Sequence, residues 1–214
     1  MSLDAVTDSL KQSLDLFKNN AVALVVGTII SMILVCLIVT AGPGIYGLAY
    51  MAVKAFRGEK VEIGDVFFAF RSVKRFIRGW MFAIVLFVLV FIIGIIAGIL
   101  FGVLSQINEY LAVMAFFIAY ILIFLVMIGL VYAETIFVLD SSKGVIDAMK
   151  ESLSISKENI LATIVAIIII SILTFIGSLV FGILALITTP ICNLFLISLV
   201  KELRPEIPDT ADDV

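Results

Sequence analysis

One carboxylate, Glu134, lies well inside an apolar run, in LVYAETIFVLD. An acid in such a place is costly for a bilayer to hold and is a site candidate by default. It precedes Asp140 by six residues, which on a helix puts it about 9 Å below the polar boundary. From that depth it snorkels, pairs with a cation such as Lys54 or Lys157, or holds a proton or a substrate. A second polar group, Thr188, Thr189, Pro190 and Asn193, falls near the middle of the last apolar stretch. Pro190 removes one helical N–H and displaces the carbonyl of Leu186. The hydroxyls and amide beside it either repair that kink or line a small mid-membrane site. The third group is cationic: Arg71, Lys74, Arg75 and Arg78, with Trp80 just beyond. Cations beside an aromatic at a membrane boundary suit anionic lipid headgroups, gaining about 1 kcal/mol per charge. The plainer role of such a group is to fix orientation.

Little else offers chemistry. The chain has no histidine. Cys36 and Cys192 both fall inside apolar stretches without zinc or disulfide spacing and read as buried thiols. No nucleophile–base pair and no phosphate-binding loop occurs. The expectation is therefore a chain with no catalytic residue, cofactor site or metal site, not an enzyme, and with no nucleic-acid partner.

The elements that must position these groups are membrane helices. Of the 214 residues 63% are apolar and 14% charged, against about 45–50% and 25% in soluble domains. Asn20–Thr40, Gly79–Leu104 and Leu111–Val138 each match or exceed the roughly 20 residues a spanning helix needs. Ile160–Leu203 is long enough for two spans with a turn near Gly177–Gly182. Ile45–Phe56, only 12 residues, is ambiguous. No cleavable leader is apparent, so the first span reads as an uncleaved anchor. The end of the chain, RPEIPDTADDV (205–214 above all), is acidic and proline-bearing and is expected to be a disordered, solvated cytoplasmic tail.

Basic residues near span ends stay on the cytoplasmic side. If Ile45–Phe56 returns the chain to the inner side, all 14 basic residues lie there and none outside. This predicts an all-α integral membrane protein of about six transmembrane helices in the cell membrane, with both termini cytoplasmic. The second pass is short or re-entrant, starting at Gly42-Pro43-Gly44.

One segment occurs twice. DSLKQSLDLFKNNAVALVVGTIISMIL (8–34) and DAMKESLSISKENILATIVAIIIISIL (147–173) match without a gap at 12 of 27 positions, including Asp8/Asp147, Lys11/Lys150, Ser13/Ser152, Lys18/Lys157 and Asn20/Asn159. Each copy reads as an amphipathic helix feeding a span, and such repetition organises whole folds. The chain then divides into three parallel helix-plus-hairpin units, about 3–58, 61–140 and 143–204, within a single membrane domain, 1–204. Three cytoplasmic amphipathic helices follow, with apolar stripes Leu10/Leu14/Phe17, Val66/Phe70/Val73/Ile77 and Ile146/Met149/Leu153. Gly94, Gly98 and Gly102 share a face of the third span, where small residues let helices pack closely. Ala112, Ala115 and Ala119 on the next span favour an internal hairpin contact over a homodimer.

Three stretches carry a resemblance: GPGIYGLAYMAVKAFRGEKVEIGDVFFAF (42–70), ETIFVLDSSKGVIDAMKESLSISKENI (134–160) and the late TTP at 188–190. From about Gly42 to Leu203 the chain resembles a broad set of prokaryotic polytopic membrane proteins of unknown function. These in turn resemble the membrane domain fused to some bacterial glycerophosphodiester phosphodiesterases. The resemblance implies about six helices with amphipathic connectors and no established activity, since no catalytic domain is attached here. The leading expectation is a non-catalytic membrane protein that engages anionic lipid or a partner protein through its interfacial helices. The alternative is a small oligomeric transporter or channel with a polar site at the kinked last helix.

Overall fold

The computed structural model describes residues 2–179 and 182–212, and its regular elements among these are all helices. The helices are α1 (Ser2–Cys36), α2 (Ala41–Phe56), α3 (Val73–Ser105), α4 (Glu109–Gly129), α5 (Ala133–Leu139), α6 (Val145–Glu158), α7 (Ile160–Ser178) and α8 (Ala185–Leu203), with a 3-10 helix, Ile63–Arg71, before α3. Five stretches are long and apolar enough to cross a membrane: Leu3–Cys36, Val73–Ser105, Glu109–Leu139, Ile160–Ser178 and Ala185–Leu203. The chain therefore has the makings of a membrane protein, but α2, at 16 residues, is not among these stretches.

Instead α2 forms the centre of the molecule. Every position from Tyr46 to Val53 is buried, against α1, α3, α8 and the 3-10 helix. Lipid tails are as apolar as leucine, so membrane helices are held by close packing and hydrogen bonds. The small residues of α2 supply the close packing. A Cβ on Gly47 would run into the carbonyl oxygen of Val66, and one on Gly42 would sit 2.8 Å from that of Gly79. The Ser31 hydroxyl donates to the Gly44 carbonyl at 3.0 Å, tying α1 to α2.

The α1–α2 turn carries exposed Leu37, Ile38 and Val39. Its Val39 carbonyl accepts the Trp80 indole N–H at 3.0 Å. From Trp80, α3 runs on to Ser105, a further ~37 Å at 1.5 Å per residue. The α1–α2 turn thus lies beside the start of α3's apolar run, far short of the α3–α4 turn. Ile38 turns the corner at φ 51, a left-handed conformation strained for a β-branched residue.

Helix α4 packs mainly on α3, which also packs on α2 and the 3-10 helix, and most side chains of α3 and α4 face outward. The expected close approach at Gly94, Gly98 and Gly102 does not occur. A Cβ on any of the three would meet nothing within 4 Å. Between α3 and α4, Phe101 and Phe116 meet edge to face at 6.2 Å, so large rings rather than the glycines make this contact.

The middle amphipathic helix is also not continuous. Ser72 is fully extended, and its hydroxyl caps α3 by accepting the Arg75 N–H at 3.2 Å. The break splits the predicted stripe, leaving Val66 buried but Val73 and Ile77 exposed. On α6 the buried face is Val145, Ala148, Met149, Ser152 and Ile155, while Ile146 and Leu153 of the predicted stripe are exposed. The two similar segments do share a joint. Asn20 and Asn159 both leave helical geometry (φ −123, ψ 16 and φ −126, ψ 48). Each side-chain amide donates four residues back, to Leu16 at 3.1 Å and Ile155 at 3.3 Å.

The tail does not dangle. Within 205–212, Ile207 and Ala211 are buried, and the Thr210 N–H donates to the Leu139 carbonyl at 2.9 Å. Two of its acids, Asp209 and Asp212, pair with half-buried Arg57, which a composition-based reading cannot foresee.

Candidate functional site: a polar layer over a broken helix

The polar layer begins at Arg78, one turn into α3. Its guanidinium lies 4.0 Å over the Phe137 ring and donates to the carbonyls of Phe137 (2.7 Å), Asp140 (2.8 Å) and Lys143 (3.2 Å), and to the Tyr46 hydroxyl (3.3 Å). The C-terminal carbonyls of a helix lack intrahelical donors, and Arg78 supplies them for α5. Arg75 stacks on Phe68 at 4.2 Å and donates to the Asp212 carbonyl at 3.0 Å. Arg71 reaches Asp65 at 3.3 Å. Lys74 is exposed with no partner among the described residues. Of the predicted headgroup cations, only Lys74 is wholly turned outward, and Trp80 is spent on the α1–α2 turn.

Two anion–cation knots organise the rest. Buried Asp65 accepts from Lys54 at 2.8 Å and from the Glu62 N–H at 2.9 Å, besides Arg71. Lys54 is therefore not the partner of Glu134, and Lys157 is exposed. In the second knot Arg57 clasps both Asp209 and Asp212 of the tail, and the Tyr50 hydroxyl donates to Asp212. Burial works against the Asp212 carboxylate, but the Tyr50 hydroxyl and Arg57 outweigh it and hold its pKa below the ordinary value. Asp140 behaves likewise, its burial outweighed by the Ser142 hydroxyl and N–H and by Lys143. Hydrogen bonds donated to Asp209 raise the Arg57 guanidinium above its ordinary range. The acidic tail is legible in the sequence, but its pairing with Arg57, more than 150 positions away, is not.

Below this layer the chain breaks between α4 and α5. Irregular backbone at membrane depth is tolerated only where protein or water covers it, and α6 provides the cover. The Ser152 hydroxyl accepts the Tyr132 N–H at 3.2 Å and donates to the Gly129 carbonyl at 2.7 Å, while Ser156 donates to the same carbonyl at 3.3 Å. The Tyr132 hydroxyl donates to Thr163 at 3.2 Å.

Glu134 sits in the first turn after this break, with no hydrogen bond or ion pair among the described residues. It lines two cavities. One, of about 150 Å³, lies between α2, α3 and α5; the other, of about 40 Å³, also takes in Thr135 and Asn193. Two predicted mid-membrane groups, Glu134 and Asn193, thus come together. Thr188, Thr189 and Pro190 do not line these cavities: Thr188 is buried against Gly177, and α8 runs through Pro190 unbroken. Cys36 and Cys192 are unpaired, and Cys36, expected to be buried, is exposed at the end of α1. No group of residues that could hold a metal occurs among the described residues.

A third feature lies at the α1 kink. A groove of about 650 Å³ runs between Lys18–Ala23 and Lys60–Gly64. Lys18 and Lys60 stand at its rim, paired only loosely with Asp15 at 3.2 Å and Glu62 at 4.0 Å. Val22 and Ile63 beside them are exposed.

A domain family of unknown function, DUF7847, matches residues 5–211, nearly the whole length of this fold. The chain belongs to the DUF7847 family. That match takes in the α1–α2 hairpin, the broken α4–α5 rod and the docked tail up to residue 211, so these belong to one DUF7847 domain. No curated protein and no solved structure matches the chain.

Proposed function

We propose that this DUF7847 protein is a non-catalytic, multi-pass protein of the cell membrane that binds anionic lipid headgroups at a cytoplasmic polar layer. The observation that carries this reading is the groove at the α1 kink. Two lysines stand at its rim beside exposed Val22 and Ile63, so cations and apolar surface meet where headgroups meet acyl chains. The carboxylates nearest those lysines form exposed pairs with them, and such pairs contribute little. A lipid phosphate can displace them at small cost. Lys74 adds a third outward cation.

Orientation belongs to the same proposal. With α1–α2 as a re-entrant hairpin and two full hairpins, α3–α4 and α7–α8, every basic residue and both termini fall on the cytoplasmic side. The joints at Asn20 and Asn159 support reading the chain as repeated helix-plus-hairpin units. The likeness to membrane domains fused to glycerophosphodiester phosphodiesterases fits a membrane-module role and brings no phosphodiesterase activity with it.

The test is mass spectrometry of lipid that co-purifies with the protein in mild detergent. The wild type should retain phosphatidylglycerol or another anionic lipid over a zwitterionic one. The combined change Lys18→Gln, Lys60→Gln and Lys74→Gln should cut that retention several-fold. Equal retention by the triple variant, or no anionic preference in the wild type, would remove the proposal.

A further inference from the structure

The cavity beside Glu134 is a different kind of place from the lysine groove. Its walls are apolar and aromatic: Ile45 and Tyr46 from α2, Phe82 and Leu86 from α3, and Phe137 from α5. Phe82 and Phe137 stack at 5.9 Å, and Tyr46 meets Phe137 edge to face at 6.2 Å. The one charged side chain among the lining residues is Glu134. Ile45, which lines the cavity, is 43% exposed on the apolar outer surface, so the mouth opens toward the bilayer rather than toward the polar layer.

We propose that this cavity is a binding site for a small apolar amine, with Glu134 as its counter-ion. Three arguments converge. First, polar groups withdrawn from water are nearly always paired, yet Glu134, half-buried in the fold, has no hydrogen bond or ion pair among the described residues. Cations of the polar layer are engaged elsewhere: Lys54 on Asp65, Arg78 on carbonyls and Lys143 on Asp140 and Glu151. A single unpartnered carboxyl group suits one basic ligand. Second, the space fits an organic cation better than a bare ion. An apolar cavity of about 150 Å³ accepts a benzene-sized body, and aromatic faces favour an ammonium group held close to them. A metal ion would find one carboxylate and walls of hydrocarbon. Third, the smaller cavity that Glu134 also lines takes in Thr135 and Asn193. The acid thus stands between a lining with polar groups and an apolar one that suits the body of the amine. An amine crosses to such a mouth as the neutral base, and on binding it takes the proton of the Glu134 carboxyl, which leaves an ammonium facing a carboxylate.

The probe is benzylamine, with benzyl alcohol as its uncharged counterpart, added to the full chain in lipid nanodiscs. Benzylamine should raise the thermal midpoint by a few degrees, as a ligand of the folded state does. Benzyl alcohol should do markedly less. Glu134→Gln should abolish the benzylamine shift, and so should Ala83→Leu, which fills the cavity but keeps the acid. The Lys18→Gln/Lys60→Gln variant should show the full shift, which separates this site from the lipid groove. A midpoint measured without ligand shows whether each variant is folded, and either one suffices if the other is not. The idea is overturned if benzylamine gives no shift in the wild type, if benzyl alcohol matches it, or if the folded variants keep it.

Discussion

Among single residues, Arg78 shows how one side chain can bind three elements without an ion pair. All of its acceptors are neutral oxygens from α2, α5 and the α5–α6 loop. Arg78→Gln strips donors from three carbonyls and should cost about 3 kcal/mol. Arg78→Lys, a point charge without the planar fork, should lose most of the same amount. Chemical or thermal unfolding in detergent would check both, and a near-neutral lysine variant would show that charge alone matters. Arg78 was legible in the sequence as a boundary cation, but not as a carbonyl ligand. Its acceptors lie 32 to 65 positions away in sequence, beyond the reach of any local pattern. Glu134 was legible for the opposite reason, since a lone acid in an apolar run stands out without any partner being known.

At the scale of elements, the spans were easy to read and the irregular places were not. Apolar runs of 20 residues leave few alternatives. The stripe Val66/Phe70/Val73/Ile77 fits an α-helix, but a 3-10 turn and an extended Ser72 satisfy the same few positions, and burial of Asp65 with two cations decided between them. The α4–α5 break was hidden because the run through Val138 stays apolar, and the serines that mend it lie on another helix. The α1–α2 turn offers a direct test of strain. Ile38 adopts a left-handed φ that glycine occupies freely. Ile38→Gly should therefore raise stability by about 1 kcal/mol, read as a higher unfolding midpoint. A lower midpoint would mean that the exposed isoleucine side chain contributes more to the turn than its backbone strain costs.

For the molecule as a whole, the docked tail is the largest departure from expectation. Acidic, proline-bearing ends are normally solvated, but here two aspartates complete a layer that joins α2, α3 and α5. Its pH dependence has a definite sign. The folded Asp212 carboxyl sits below its ordinary value, so its contribution is full above the unfolded value of about 3.9. That contribution disappears as pH falls through the lower, folded value. Limited proteolysis should show the tail protected at neutral pH and cut faster in strong acid. Asp209→Asn with Asp212→Asn should give the acid behaviour at pH 7. Unchanged protection in that variant would mean that Ile207, Ala211 and Thr210 hold the tail without the charges.

Arg78 also acts at two separate moments. While the chain is being inserted, an arginine at that point registers only as charge, and it resists passage across the bilayer whatever its neighbours are. Once the helices have assembled, the same group registers only as a set of N–H donors with fixed directions. A lysine there would serve the first moment and fail the second. Correct topology and a closed fold are therefore separable events in the life of this chain, and one side chain connects them.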